Sequence, residues 1–426
     1  MRTLVLFLAI SLLVGSRPAW SADVSWSMVV LPDTQHYKTA ATWPIFNQMT
    51  QWIVDEKDTR SIQLVLHEGD ITNDSTDLQW TEAFGAMSRL NGEVPYIVVK
   101  GNHDTSLKLN EYFHLEDNPL NNSAAGIFTT QMVPGEMDNV YGTFTAPDGR
   151  KMLVFGLQFS PTSAIRAWAN SIAAQSQYQD YTAVVLTHAY LREGGATPDG
   201  EPTAYRETIG NSLWDGLVQM HGNIEMVLNG HAHDGDDTNP HGPMATARQV
   251  STGINGNTVY EIVFNTQQLP SGGNGFLRLM EFLDDGTTVQ VRTYSPYLDT
   301  WLTGDRHEFQ IQLSPLPNVP ILPGDYNADG VVDAADYTVW RNHLGEADEA
   351  SINYNGDGDG VSLSDFAMWS QHYGDSATGS GIDPMAVPEP SAFTMLLAVA
   401  VSCWMHRHSK QLSRGKVTGC QGLASG

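Results

Sequence analysis

At 426 residues the chain is too long for one small domain and long enough for a large domain with appendages. A hydrophobic fraction of 41% permits an ordinary buried core, while a formal net charge of −26 excludes a nucleic-acid-binding surface, because phosphate backbones are met by Lys and Arg. The two cysteines, Cys403 and Cys420, both lie near the C-terminus, which excludes disulfides and cysteine ligands or nucleophiles from the rest of the chain.

Residues 1–21 combine an early Arg2, an apolar run from Leu4 to Val14 and small residues around Ala19-Trp20-Ser21. This is the pattern of a secretory signal peptide, with cleavage expected after Ser21 and an exported, cell-surface or extracellular destination. From Val24 to about Pro315, strand-like and helix-like segments alternate. Trp26–Leu31, Ile62–Leu66, Val94–Val99, Ala183–Leu186 and Ile224–Leu228 read as buried strands. Pro44–Glu56, Asp77–Leu90, Thr162–Gln175 and Asn211–His221 read as helices. The alternation predicts an α/β fold. Val259–Asn265, Phe276–Leu283 and Thr288–Tyr294 then read as successive antiparallel strands, the last two joined by an Asp285-Gly286 turn. The whole of residues 22–315 is expected to form a two-sheet β-sandwich flanked by helices.

Each of the first five strands runs into a cluster of metal-binding side chains. In order these are Asp33-Thr-Gln35-His36, Gly69-Asp70-x-x-Asn73-Asp74, Gly101-Asn102-His103-Asp104, Thr187-His188 and Gly230-His231-Ala-His233. Five such clusters at successive strand ends describe one site on the rim of a sheet. Two cations about 3.5–4 Å apart need a bridging carboxylate. Asp70, alone at its strand end beside Gly69, is the natural bridge. Imidazole and carboxylate donors suit Zn, Mn, Fe or Ni better than calcium. Gln35 lies two residues after Asp33, on the same face of a continuing strand, so either it or His36 serves the first cluster. Asn73 and Asp74 are equally readable as neighbours of the site or as caps of the helix that follows.

Gly69-Asp70, Gly101-Asn102-His103-Asp104, His188 and Gly230-His231-x-His233, in this order and spacing, resemble the calcineurin-like metallophosphoesterase superfamily. The resemblance implies two divalent transition metals, one held by Asp33, Asp70, His233 and a first-cluster ligand, the other by Asp70, Asn102, His188 and His231. It further implies hydrolysis of a phosphomonoester or phosphodiester by a metal-bridging hydroxide. His103 would be the general acid for the leaving group, with Asp104 orienting its imidazole or raising its pKa. The sequence departs from the superfamily at one place, where Gln35 stands for the usual histidine of an Asp-x-His motif. That departure leaves room for an alternative, a non-catalytic surface or binding protein that retains the fold.

Residues 316–323 read as a proline-rich linker. Residues 324–376 contain a duplication, Asp336-Tyr-x-x-Trp340-x-x-His343-x-Gly345 returning as Asp365-Phe-x-x-Trp369-x-x-His372-x-Gly374. The first copy follows a calcium-type loop with oxygens from Asp325, Asn327, Asp329, the Val331 carbonyl, Asp333 and Asp336. The second loop offers Asn355, Asp357 and Asp359 but is one residue shorter. The unit resembles a type I dockerin, which implies EF-hand-type calcium loops and a cohesin-like partner. After a polar linker at 377–386, residues 387–416 combine Val387-Pro-Glu-Pro390, an apolar run and basic residues. They resemble a PEP-CTERM sorting signal, implying transient inner-membrane anchoring and cleavage by an exosortase-type protease. The apolar run reaches only about 21 Å against a hydrocarbon core of roughly 30 Å.

Overall fold

The computed structural model describes residues 24–196, 202–232, 244–316, 322–327, 331–346, 349–352, 355–357 and 360–375. The signal segment, His233, Asp329, Asp359 and the sorting-signal region lie outside the described residues. Two compact units divide the chain, Met1–Pro317 and Asn318–Gly426. Among the described residues no helix is long and apolar enough to cross a membrane.

In chain order the first unit contains β1 (Val24–Leu31), α1 (Trp43–Glu56), β2 (Ile62–His67), α2 (Asp77–Met87), β3 (Tyr96–Val98) and α3 (Ser106–Tyr112). There follow β4 (Phe128–Gln131), β5 (Asn139–Thr145), β6 (Lys151–Leu157), α4 (Ser163–Ala173), β7 (Thr182–Thr187), β8 (Leu191–Ala196), β9 (Pro202–Arg206), α5 (Thr208–Gly216) and β10 (Ile224–Asn229). The last strands are β11 (Arg248–Thr252), β12 (Thr258–Val263), β13 (Leu277–Leu283), β14 (Thr288–Ser295), β15 (Thr300–Leu302) and β16 (Glu308–Gln312). They form two seven-stranded sheets, one ordered β15-β14-β13-β1-β2-β3 with β16 beside β14, the other β11-β12-β10-β7-β6-β5-β4. Strands β8 and β9 make a separate hairpin.

Both sheets are covered on both faces, which is why their central parallel strands read as continuous apolar runs. The pleat splits the central strands of the second sheet between two cores. Val184, Leu186, Met226, Leu228 and Ile262 face the first sheet, in one core with Met28, Val65 and the α1 and α2 residues Ile45, Met49, Trp80 and Ala83. Their neighbours Ala183, Val185, Val227 and Val263 pack outward against Ile165, Ala169 and Ile172 of α4 and Leu213 of α5. The result is two main sheets with helices on their outer faces, the architecture expected from the sequence.

One strand assignment changes. Val259–Asn265 does not continue into an antiparallel run with the next two strands. It supplies β12, which lies in the second sheet parallel to β10 and antiparallel only to β11. The antiparallel pairing of β13 with β14 holds, and β13 closes the first sheet against β1. The reassignment matters because a parallel β12 sends its carboxyl end to the same rim as β10. The segments around 105–140 and 192–208 also carry strands, β4, the start of β5 and the β8–β9 hairpin, that no periodicity in the sequence disclosed.

In the second unit two helices, Ala334–His343 and Leu363–His372, begin with capping boxes built on Asp333 with Asp336 and on Ser362 with Asp365. They pack around Tyr326, Trp340, Ile352 and Val361. The bonding is reciprocal: the Trp340 indole donates to the Ser362 carbonyl at 2.6 Å, and the Trp369 indole donates to the Asp333 carbonyl at 2.7 Å. Asp336 accepts from the Asn327 and Asp333 amides, and Asp365 accepts from the Asp357 and Ser362 amides. The two acidic side chains hold matching places although the second loop is a residue shorter.

Candidate metal centre

The carboxyl ends of β1, β2 and β3 in one sheet and of β7, β10 and β12 in the other meet at one rim. The loops are tied there by backbone bonds, Thr34 N–H to the Asp70 carbonyl at 3.1 Å and Glu68 N–H to the Leu31 carbonyl at 3.0 Å. Asp33, Asp70 and His188 are 1%, 2% and 0% exposed, so the deepest ionisable groups of the cluster have no access to water. Asn102 and His103 are exposed and His231 is half-buried, which leaves the centre open on that side.

Four donor atoms converge on one point. The Nε2 of His188 lies 3.0 Å from Asn102 Oδ1, 3.2 Å from Asp70 Oδ1 and 3.2 Å from His231 Nδ1. Separations near 3 Å are the edges of a coordination polyhedron whose bonds are about 2.0–2.1 Å long. The orientation of the His188 ring is fixed, since Nδ1–H donates to the Glu68 carbonyl at 2.8 Å and leaves Nε2 turned toward the other three atoms. Burial alone would lower the His188 pKa, but the carboxylates of Asp70 and Asp33 raise it to about 9. Burial raises the Asp33 carboxyl to about 8; His188 opposes that rise and the charge of Asp70 adds to it. A buried cluster that retains a proton so strongly is one that a cation would satisfy, and Asp70, His188 and His231 are placed to share one. The donor set thus fits a divalent metal.

Two glycines make this convergence possible. A Cβ on Gly101 would sit 2.0 Å from Asp70 Oδ1, and one on Gly230 would sit 2.1 Å from Asp33 Oδ1. The glycines that precede Asn102 and His231 are therefore the space into which the two carboxylates fit. Asp70 and His231 themselves adopt left-handed backbone, φ 45° and 61°, an uncommon conformation for residues with a Cβ that turns their side chains inward at once after the strand.

Several expected roles shift. Asp104 makes no hydrogen bond to the His103 ring. It is 6% exposed and accepts from the amides of Ile71, Thr72 and Gly101 and from the Thr72 hydroxyl, each at 3.0 Å. A carboxylate with four such donors staples the Asp70 loop to the Asn102 loop, and no oxygen is left to orient an imidazole. His103 is oriented instead by the Asn73 carbonyl, 2.7 Å from its Nδ1, while its backbone N–H donates to Asp70 Oδ1 at 2.9 Å. Neither Asn73 nor Asp74 caps α2, because the cap is Thr76. His36 turns to the Gln267 carbonyl at 2.9 Å, and it is Gln35 that lies against Asp70, its amide Nε2 3.1 Å from Oδ2.

The structure also places at the site residues to which the sequence pattern gives no metal or catalytic role. Asn265 donates to Asp33 Oδ2 at 2.8 Å, and Gln267 contacts Gln35; both follow β12, whose placement in the sequence reading kept them from the rim. His67 is kept neutral by burial, with a pKa of about 3, accepts from the Gly69 amide and donates to the Thr34 hydroxyl, fixing the turn into Asp70. Phe159, just past β6, packs its ring 5.8 Å from the His188 ring and 5.5 Å from that of His231. His233 completes the sequence pattern but lies outside the described residues.

Residues 28–235 match the family model of the calcineurin-like phosphoesterases. The two-sheet architecture with flanking helices agrees with that match. The chain is also similar to the uncharacterised protein YvnB of Bacillus subtilis strain 168, 29% identical over 320 residues that cover 71% of this chain and 23% of that protein. It therefore spans under a quarter of the length of this curated relative. Among solved structures, a dimetal phosphatase from Danio rerio is 12% identical, with 68% of this chain and 100% of that one covered and a TM-score of 0.42. The purple acid phosphatase PPD1 from yellow lupin seeds is 13% identical, with 69% and 54% covered and a TM-score of 0.40.

The glycine geometry gives a direct test. Gly101→Ala pushes a methyl into the Asp70 carboxylate, and overpacking of this kind costs about 1–3 kcal/mol. The expected outcome is a folded protein by circular dichroism with a lowered melting temperature and sharply reduced bound transition metal. Wild-type metal content in this variant would show that the Asp70 carboxylate does not need the space above Gly101.

Proposed function

We propose that this protein is an exported dinuclear-metal phosphoesterase that hydrolyses a phosphomonoester or phosphodiester. The observation that carries the reading is the convergence of Asp70, Asn102, His188 and His231 on one point beside an open, histidine-bearing wall. Two divalent cations at such a centre would acidify water toward neutral pH and neutralise phosphoryl oxygens. The chain's own residues supply the rest. Asp33, Asp70 and His188 are rigid and dry, so their donor atoms need no rearrangement on binding. Asn102 and His103 form the exposed edge from which a phosphoester would approach. His103 Nδ1–H is committed to the Asn73 carbonyl, so in the imidazolium form that a general acid requires, Nε2 is the atom that would carry the transferable proton. In this reading it delivers that proton to the leaving oxygen.

Metal analysis combined with turnover of p-nitrophenyl phosphate and bis-p-nitrophenyl phosphate tests the reading. Asp70→Asn should remove both bound metal and activity. Near-normal activity of that variant at saturating metal would refute the bridging assignment, and full metal occupancy without turnover of any phosphoester would favour the non-catalytic alternative. His103→Ala should keep its metal and lose about 10²–10⁴-fold in turnover, with a smaller loss on substrates whose leaving groups need no proton. Loss of metal in this variant would make His103 a ligand.

For the C-terminal unit we propose calcium binding in the loops ending at Asp336 and Asp365 and docking to a cohesin-like partner. For the tail we propose sorting by an exosortase-type protease to the cell surface. Calcium should raise the melting temperature and helix content of this unit, and chelator should reverse both. Asp329→Ala should abolish more of the response than Asp357→Ala, because only the first loop has the full complement of oxygens. Equal effects, or no response to calcium, would contradict the proposal.

A further inference from the structure

The first cluster differs from the others in what it presents to the bridge. Gln35 is 4% exposed, and its side chain reaches Asp70 with the amide nitrogen, 3.1 Å from Oδ2. The same nitrogen donates to Gln267 Oε1, while Gln35 Oε1 is buried without a hydrogen-bond partner. Gln267 is held in turn from two sides, its N–H donating to Asn265 Oδ1 at 3.0 Å and its carbonyl contacting His36 Nδ1 at 2.9 Å. Asn265 closes the strap by donating to Asp33 Oδ2. One loop after β12 thereby fixes both residues of the first cluster.

An amide nitrogen has no lone pair to give a cation, and both N–H groups of Gln35 are directed at oxygen atoms. Around His188 Nε2, by contrast, oxygen and nitrogen atoms of metal-ligating types meet at 3.0–3.2 Å. On the reading of this centre as a two-metal site, we infer that the two metal positions are unequal. The position at Asp70, Asn102, His188 and His231 holds its ion firmly. At the position of Asp33, Gln35 acts as a hydrogen-bond donor to the bridging carboxylate instead of a ligand, with Gln267 as its positioning residue. The ion there is held loosely and exchanges with free divalent cation in the surroundings.

The experiment uses the full chain, stripped with chelator, refilled with manganese in a calcium-containing buffer that saturates the C-terminal loops, and then desalted. Metal content and isothermal titration are read alongside circular dichroism for folding. Wild type should retain one equivalent of manganese after desalting and bind a second about 10–100-fold more weakly. Gln35→His, which restores an imidazole, should retain two. Gln35→Leu, which can neither ligate nor donate, should weaken both equivalents to a similar degree, by about 10–100-fold, since it removes a hydrogen bond to the carboxylate they share. Two equally tight equivalents in wild type, or a Gln35→Leu loss confined to the weak position, would overturn the inference while leaving a two-metal site standing. Absence of any retained manganese in all three folded proteins would overturn the two-metal reading as well.

Discussion

The buried contact between the Asp70 carboxylate and the His188 imidazole, 3.2 Å apart with almost no access to water, is the constraint from which the rest of the site follows. Removing ions from water costs on the order of several kcal/mol each. The chain offsets part of that cost locally: His103 N–H donates to Asp70, His231 N–H and Asn265 to Asp33, and the Glu68 carbonyl accepts from His188. It leaves the remainder uncompensated, as the raised pKa values of Asp33 and His188 show. A centre of this kind is electrostatically incomplete by construction, and a cation is the group that completes it.

The same constraint explains the surrounding architecture. Donors from two sheets reach a common point only if parallel strands of both sheets end at one rim, which the β1-β2-β3 and β7-β10-β12 groupings provide. They approach closely only where no Cβ intervenes, hence Gly101 and Gly230. They stay in register only if the loops are tied together, and Asp104 does this with one carboxylate spread over three amides and a hydroxyl. The role of Asp104 is thus mechanical: it fixes the distance between the bridge at Asp70 and the exposed pair Asn102 and His103.

The residue types and their strand-end positions were legible in the sequence because parallel strands covered on both faces leave long apolar runs, and a polar residue just after such a run stands out. The side-chain partners were not, because they depend on which strands lie next to each other. Asn265 and Gln267 carry a strand-end signature as clear as that of His188, yet reading β12 as the first of three antiparallel strands hid it. Asp104 was misread for a related reason. Adjacency in sequence suggested a partner in His103, whereas the turn after Gly101 directs the two side chains to different layers of the site. Gln35 over His36 followed from strand alternation, but the direction in which its amide faces depends on Gln267, 232 residues further along the chain.

Charge sets the last condition. A formal charge of −26 gives the chain no net attraction for an anion such as the phosphoester of the proposed reaction. On the proposed reading, attraction for such an anion would be short-ranged and confined to the centre, where screening at physiological ionic strength cuts off the surrounding acidic field within about 8 Å. That assigns complementary tasks to the two halves of the site. The buried carboxylates and imidazoles would concentrate positive charge by binding cations, and the exposed edge at Asn102 and His103 is where that charge could be met. Such a division would make occupancy of the metal positions, more than the shape of the surface, the quantity that governs whether an anionic substrate is bound at all.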